Sequence, residues 1–263
     1  MNLKAIKTIV INSVQNTLLF KGSFFLMILT IFMSEIMSIS IMLIILSQFH
    51  GFGDLTSGQF LFIYLFAHLS YSICSLFFNN LRHLGYYIQG GYFDRILLMP
   101  MNTISYVCCY NFDFAYVGQL ITSLILFLFF ANSFGIVWTF LNACIFILLL
   151  IGSVLVFASI LLVLSTVAFT VIDWKPIDNI FGAFKEMLWY PTSIYNRLVR
   201  IILYSFVPLA YVVFEPTQIF YKVCANFRQY YYIPLIFVFV AIGLFIFSYR
   251  VWNLRSKYYQ SVG

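Results

Sequence analysis

Between Phe114 and Ile172 the chain carries no charged residue. As one α-helix this run would extend ~88 Å, nearly three times the ~30 Å hydrocarbon core of a bilayer. It must therefore fold back as a hairpin. The best place for the turn is Asn132-Ser133-Phe134-Gly135, an uncharged polar stretch that would lie outside. That gives one span at about Asn111 to Ala131 and another from near Ile136 to Ile172. Asp113 and Asp173-Trp174-Lys175-Pro176 mark the two interfaces.

The rest of the chain fits this reading. Charged residues make up 8% of the 263, against ~25% in a soluble domain, and mean hydropathy is +0.99. There is room for about six spans and for no separate soluble domain. The modest excess of Lys and Arg gathers at span edges, which suits membrane orientation and not nucleic-acid binding. The aromatic residues are spread along the whole chain, so no stacking site is read from them. No leader with a small-residue cleavage site is visible, so the first span is expected to stay as a signal-anchor. Five cysteines, Cys74, Cys108, Cys109, Cys144 and Cys224, show no metal spacing and read as small buried apolar residues.

In chain order, residues 1–22 carry Lys4, Lys7 and Lys21 without an acid, and Leu3, Ile6, Val10 and Val14 recur at helical spacing. They read as an interfacial helix or as a plain extension of span one. Span one, about Ser23 to Leu46, holds a single charge, Glu35. A lone carboxylate at that depth costs a few kcal/mol unless it is paired, neutral or beside a cavity. It is either a functional group or a structural partner of Ser38, Ser40 or another helix. The loop Gln48 to Gln59 has Asp54 and no Lys or Arg, so it belongs outside. Span two, about Phe60 to Phe78, contains His68, a lone histidine read as packed. The loop 79–105 carries Arg82, His83 and Arg95 and belongs inside. Within it, Gly90-Gly91-Tyr92-Phe93-Asp94-Arg95-Ile96-Leu97-Leu98-Met99-Pro100 reads as a short amphipathic helix, with Phe93, Ile96 and Leu97 at helical spacing. Such an exposed helix suits docking into a partner's groove.

The pattern Gly-x-Phe-Asp-x-x-Leu-Leu-x-Pro at 91–100, entering an apolar span, resembles the cytoplasmic loop of ABC-2-type permeases, the membrane subunits of ATP-binding-cassette exporters. Further on, Tyr190-Pro191-Thr192-Ser193-Ile194-Tyr195 is similar to the Tyr-Pro-x-x-Ile-Tyr element of one ABC-2 subfamily. Arg200, Pro208 and Glu215-Pro216 match its spaced arginine and prolines. The resemblance covers nearly the whole chain.

It implies an all-α polytopic membrane protein forming one domain, residues 1–263. Six transmembrane helices are expected, with both termini cytoplasmic and an amphipathic N-terminal helix. A coupling helix lies between spans two and three, and short re-entrant outer helices, about 191–231, precede span six. Gly90, Phe93, Asp94, Arg95, Leu97, Leu98 and Pro100 would then couple to the ATPase. Asp94 and Arg95 would make charged contacts on it. Phe93, Ile96 and Leu97 would fill its groove or pack on the membrane domain. Glu35, Lys185, Glu186, Tyr190, Pro191 and Tyr195 are candidates for the pathway or a permease interface. The implied partners are two copies of an ABC ATPase, a second permease (identical or a paralogue) and membrane lipids. ATP and Mg would sit in the ATPase and no cofactor in this chain. The implied location is the cell membrane, bacterial, and the implied cargo an amphipathic drug, peptide or lipid.

Span five has two readings. Hydropathy places it at Leu198 to Phe214, with Lys175, Lys185, Arg197 and Arg200 inside. The resemblance places it at about Ile177 to Tyr190, with Lys185 and Glu186 within the membrane, and is favoured because its landmarks recur in order. Span six is about Tyr230 to Tyr249, followed by Arg250, Arg255 and Lys257.

No zinc-protease, nucleophile-elbow or Walker A pattern is present. The chain is not expected to be an enzyme, and a second polypeptide would have to supply ATP hydrolysis. The alternatives are a polysaccharide or glycolipid exporter subunit, a membrane scaffold without an ATPase, and a secondary transporter. The last would show discontinuous spans in matching halves.

Overall fold

The computed structural model describes residues 7–9, 11–13, 15, 19, 21–48, 51–52, 55–110, 113, 115–171, 173–205 and 207–259. Leu3, Lys4, Ile6, Val10 and Val14 of the expected interfacial helix, and Asp54, Asn111 and Ile172, lie outside the described residues. Among the described residues, four helical stretches are long and apolar enough to cross a membrane: Lys21–Ser47, Ser57–Gln89, Phe140–Phe169 and Phe227–Ser256.

Helix α1 (Lys21–Gln48) leads through a two-residue hairpin, Gly51–Phe52 against Leu55–Thr56, into α2 (Ser57–Phe78). A reciprocal cap starts α2. The Gln59 amide donates to Thr56 Oγ1, and the Thr56 amide donates to Gln59 Oε1. Nearly every side chain from Phe60 to Ser72 is buried, so α2 is the axis around which the other helices pack. It is apolar all round, as a helix enclosed by others should be.

A 3-10 turn, Asn79–His83, continues α2 into α3 (Leu84–Gln89). The turn at Gly90-Gly91, with Gly91 at φ 69°, reverses the chain into α4 (Tyr92–Leu97). Helix α5 (Thr103–Cys109) follows, capped by the Asn102 side chain on the amides of Ile104 and Ser105. This loop end of the molecule is called lower here. The upper end is the turn at Ala131–Phe134, closed by Gly135 at φ 68°.

Helices α6 (Ala115–Phe129) and α7 (Phe140–Ser165) form the uncharged hairpin, and its turn falls at the expected place. Helix α6 is shorter than the 111–131 span read from the sequence. Its fifteen residues extend ~22 Å. It packs on α1 and α2.

Helix α12 (Ile233–Ser256) makes the most extensive pairing in the molecule, with α7. Gly152 permits the close approach, since a Cβ there would lie 2.6 Å from Phe237 Cε1. At the upper end an aromatic cluster locks the hairpin turn. The Phe62 ring stacks on Phe220 at 5.3 Å and meets Phe134 edge-on at 5.2 Å.

Between α7 and α12 the chain forms several shorter helices, where each sequence reading placed a single one. Helix α8 (Lys175–Leu188) starts at the lower end and stops beside the middle of α2, where Trp189 stacks on His68. Helix α10 (Phe214–Ala225) continues to the upper end, where Tyr221 donates to the Phe134 carbonyl. Between them lie a short turn, Thr192–Ile194, and the amphipathic α9 (Arg197–Ser205), with a 72° bend at the Pro208 break. Ser205, Val207 and Pro208 reach the lower half of α7 and α12, against Val156 to Leu164 and Leu244 to Ser248. The region 191–231, expected as short re-entrant helices, thus extends from the upper end to the lower half of α7 and α12. Only the upper part of α10 and the short α11 (Phe227–Tyr230) lie near the top. The cause is local. Pro191 and Pro208 each remove a backbone donor, so no helix runs through either position.

Candidate functional site

Two features stand out, a face at the lower end and a polar cavity in the middle, and α8 joins them.

The face is α4 with the bend after it. Phe93 and Ile96 are fully buried, and the Phe93 ring meets Phe169 at 5.4 Å and Tyr259 at 4.8 Å. These two side chains anchor the helix on its own chain, so Phe93 is not offered outward. Asn102 ties the far side of the loop to α12 by donating to the Tyr249 hydroxyl at 2.7 Å. The opposite face is open. Tyr92, Arg95, Leu97, Leu98 and Met99 are exposed, Leu98 to 84%, with Gly90 and Pro100 exposed at either end and Asp94 half-exposed. The Arg95 guanidinium lies over the Tyr92 ring. An apolar rim around two charges, held on a fixed base, is suited to docking another protein. Further along the loop, burial pushes the Cys109 thiol up, so it is a poor nucleophile at neutral pH. Of the cysteines, Cys74 is buried as expected, whereas Cys144 is exposed on α7.

Directly beneath α2 the root of α8 is fastened to this loop. Trp174 is fully buried, and its indole N–H donates to the Arg82 carbonyl at 2.8 Å. Its ring lies in a notch that exists because residue 85 is glycine. Arg82 makes an ion pair with Asp178 and reaches its carbonyl with Nη2, and the Tyr86 hydroxyl bonds the other carboxylate oxygen. Asp178, Phe181, Lys185 and Leu188 fall at spacings of three and four, so one face of α8 looks along α2.

That face ends at the cavity, which has a volume of about 240 Å³. Glu35 is its deepest charged group, 6% exposed. Gln119 of α6 donates to Glu35 Oε1 at 2.8 Å, and His68 Nδ1 of α2 stands 2.7 Å from Oε2. The imidazole approaches close to the carboxylate but off the N–H line, and its Nε2 has no hydrogen-bond partner among the described residues. Three helices thus meet around one carboxylate, and this contact offsets the cost of a charge at that depth. His68 stacks on Trp189 at 4.1 Å, with the tilted Tyr64 ring beside it at 4.6 Å. Lys185 and Glu186 sit on the α8 side, with Lys185 Nζ 5.1 Å from the centre of the Tyr71 ring.

A family comparison matches residues 31–263 to the ABC-2 family transporter proteins. The chain belongs to the ABC-2 transporter family. No curated protein and no solved structure was found to match it. As an ABC-2 protein it is a multi-pass, all-α membrane subunit of an ABC transporter, and membership implies association with an ABC ATPase. The open α4 face lies in the loop where the family resemblance put the coupling helix.

Of the pathway candidates, Glu35, Lys185, Glu186 and Tyr190 come together around this permease's cavity. Pro191 and Tyr195 do not line it. Pro191 is buried where α8 ends, and Tyr195 is half-buried in the following turn. His68 is not merely packed, because it is one of Glu35's two partners. Gln119 and the Trp174–Asp178–Arg82 joint went unnoticed in the sequence. A lone histidine in one uncharged span and a lone glutamate in another were the available signal for the central pair.

Proposed function

We propose that this chain is the permease subunit of an ABC exporter, with six passages and both termini in the cytoplasm, the fifth passage being the broken α8–α10 pair. Two permeases stand side by side, this chain with a copy or a paralogue, and enclose the path. Two ATPase subunits bind ATP and Mg and hydrolyse the nucleotide, so this chain is not itself an enzyme. The membrane is the cell membrane of a bacterium, and the cargo is an amphipathic drug, peptide or lipid. The observation that carries this reading is the two-faced α4, with Phe93 and Ile96 anchoring it inward and Leu97, Leu98, Asp94 and Arg95 turned to the lower surface. ATP-driven closure of the ATPase pair moves α4, the joint at Trp174 and Asp178 passes the motion to α8, and α8 reshapes the cavity wall.

The test is a pull-down of this chain from its native membrane in gentle detergent, with mass spectrometry of what accompanies it. Recovery of an ABC ATPase, with or without a second permease, is expected and separates heterodimer from homodimer. Recovery of none, repeated after mild crosslinking at residues 94–96, would overturn the reading in favour of a scaffold or an ion-driven carrier.

A further inference from the structure

We infer that the cavity beside Glu35 is a head-group site for an amphipathic organic cation, an amine whose apolar tail leaves through the open side. This deepens the exporter reading and rests on it for direction only. At about 240 Å³ the cavity is below the usual range for a whole drug-sized molecule, so it fits a head and not a complete ligand.

The charge balance of its lining favours a cation. Glu35 and Glu186 both line it, against the one ammonium of Lys185. Lys185 turns aside onto Tyr71, a ring outside this cavity. An anion entering here would meet two carboxylates in a medium that screens poorly. A neutral head would add no charge to what His68, Gln119 and the more distant Lys185 give Glu35. An ammonium adds a second counter-charge to Glu35 and can meet the faces of Trp189, Tyr64 and Tyr190, which attract cations. The unpartnered His68 Nε2, on a side chain only 6% exposed, is a further polar contact without a partner among the described residues. Ile41, Met42 and Ile45 supply an apolar wall on α1 for the start of a tail.

The experiment measures binding of monodansylcadaverine, a dansyl-tagged primary amine, to the purified chain in lipid nanodiscs with whatever subunits co-purify. Energy transfer from tryptophan reports occupancy. The N-acetyl derivative, which has the same tail and no charge, controls for partition into lipid. The amine is expected to bind about tenfold more tightly than its acetylated form. Glu186→Gln, an exposed position that leaves the fold intact, should reduce that preference several-fold. Glu35→Gln should remove it, and Asp173→Asn at the lower surface should leave it unchanged. Equal affinity for amine and acetyl-amine overturns the proposal, as does a preference that survives Glu186→Gln undiminished. A complex that retains its ATPase but shows no charge preference sinks the cation site and leaves the exporter standing. A charge preference without any ATPase does the reverse.

Discussion

Alanine at residue 85 should destabilise this permease, although helix propensity alone says the opposite. Gly85 lies inside α3, where alanine is worth about 1 kcal/mol over glycine. Against that gain stands Trp174. A Cβ on residue 85 would lie 2.1 Å from Trp174 Cδ2, 2.2 Å from Cγ and 2.5 Å from Cε3. The indole is fully buried and its N–H is bonded to the Arg82 carbonyl, so it cannot swing aside freely. Forcing a methyl group into such packing costs about 1–3 kcal/mol. Loss of the indole hydrogen bond would add about 1 kcal/mol. The net expectation is a loss of about 1–3 kcal/mol. Unfolding in graded denaturing detergent, followed by size-exclusion of the remaining folded fraction, measures it. The pair Gly85→Ala with Trp174→Leu completes a cycle. With the indole gone, the alanine should cost nothing or stabilise, giving a coupling well above the ~0.5 kcal/mol expected of independent sites. Gly85→Ala as stable as the parent in the Trp174 background would refute the notch and the fastening of α8 built on it.

The other expectations concern the joint, the docking face and the topology. Asp178→Asn should cost about 1 kcal/mol, between the values for exposed and buried pairs, because both side chains are roughly a quarter exposed. Arg82→Lys should cost as much, since lysine cannot present both Nε and Nη2 geometries; thermal melts of both variants check this. Asp94→Ala and Arg95→Ala should insert normally and lose substrate-stimulated ATP turnover; normal stimulation in both would remove them from coupling. A single cysteine at 222 in a cysteine-free background should react with an impermeant reagent from outside whole cells, and one at 95 only in inverted vesicles; the reverse pattern would overturn the orientation.

Much of the architecture was legible because hydropathy and charge act at the scale of a whole span. The uncharged run from 114 to 172 forces a hairpin, and its turn lies where Gly135 supplies the left-handed conformation. Glu35 was conspicuous as the lone charge of its helix. Its partners were not, because His68 and Gln119 stand alone in apolar surroundings, on helices brought together only by packing. Arg82 served in the sequence only as an orienting charge, so its pairing with Asp178, 96 positions away, left no trace. Between α7 and α12 the two readings and the structure differ in one respect. Each looked for one helix per crossing, whereas Pro191 and Pro208 divide the work between α8 and α10 with α9 between them.

The register of α8 on α2 ties the loop to the cavity. Descending α2 and the 3-10 turn below it, the contacts are His68 with Trp189, Tyr71 with Lys185, and Arg82 with Asp178. Trp189 follows directly on the fourteen-residue helix to which the other two belong, and that helix is ~21 Å long. A rigid rod held at three points cannot move at one end without moving at the other. This account makes a demand that a merely structural α8 would not. Inserting one alanine between Phe181 and Gly182 leaves the Trp174–Asp178 joint in place. It turns everything above by ~100° and raises it by ~1.5 Å. Lys185 and Trp189 then leave α2, while the α4 face is untouched. The ATPase should still co-purify, and basal hydrolysis should persist. Substrate stimulation should vanish, and the amine probe should lose its charge preference. Stimulated turnover that survived the insertion would mean that motion reaches the pathway by another route, the Phe93 contacts with Phe169 and Tyr259 being the next to test.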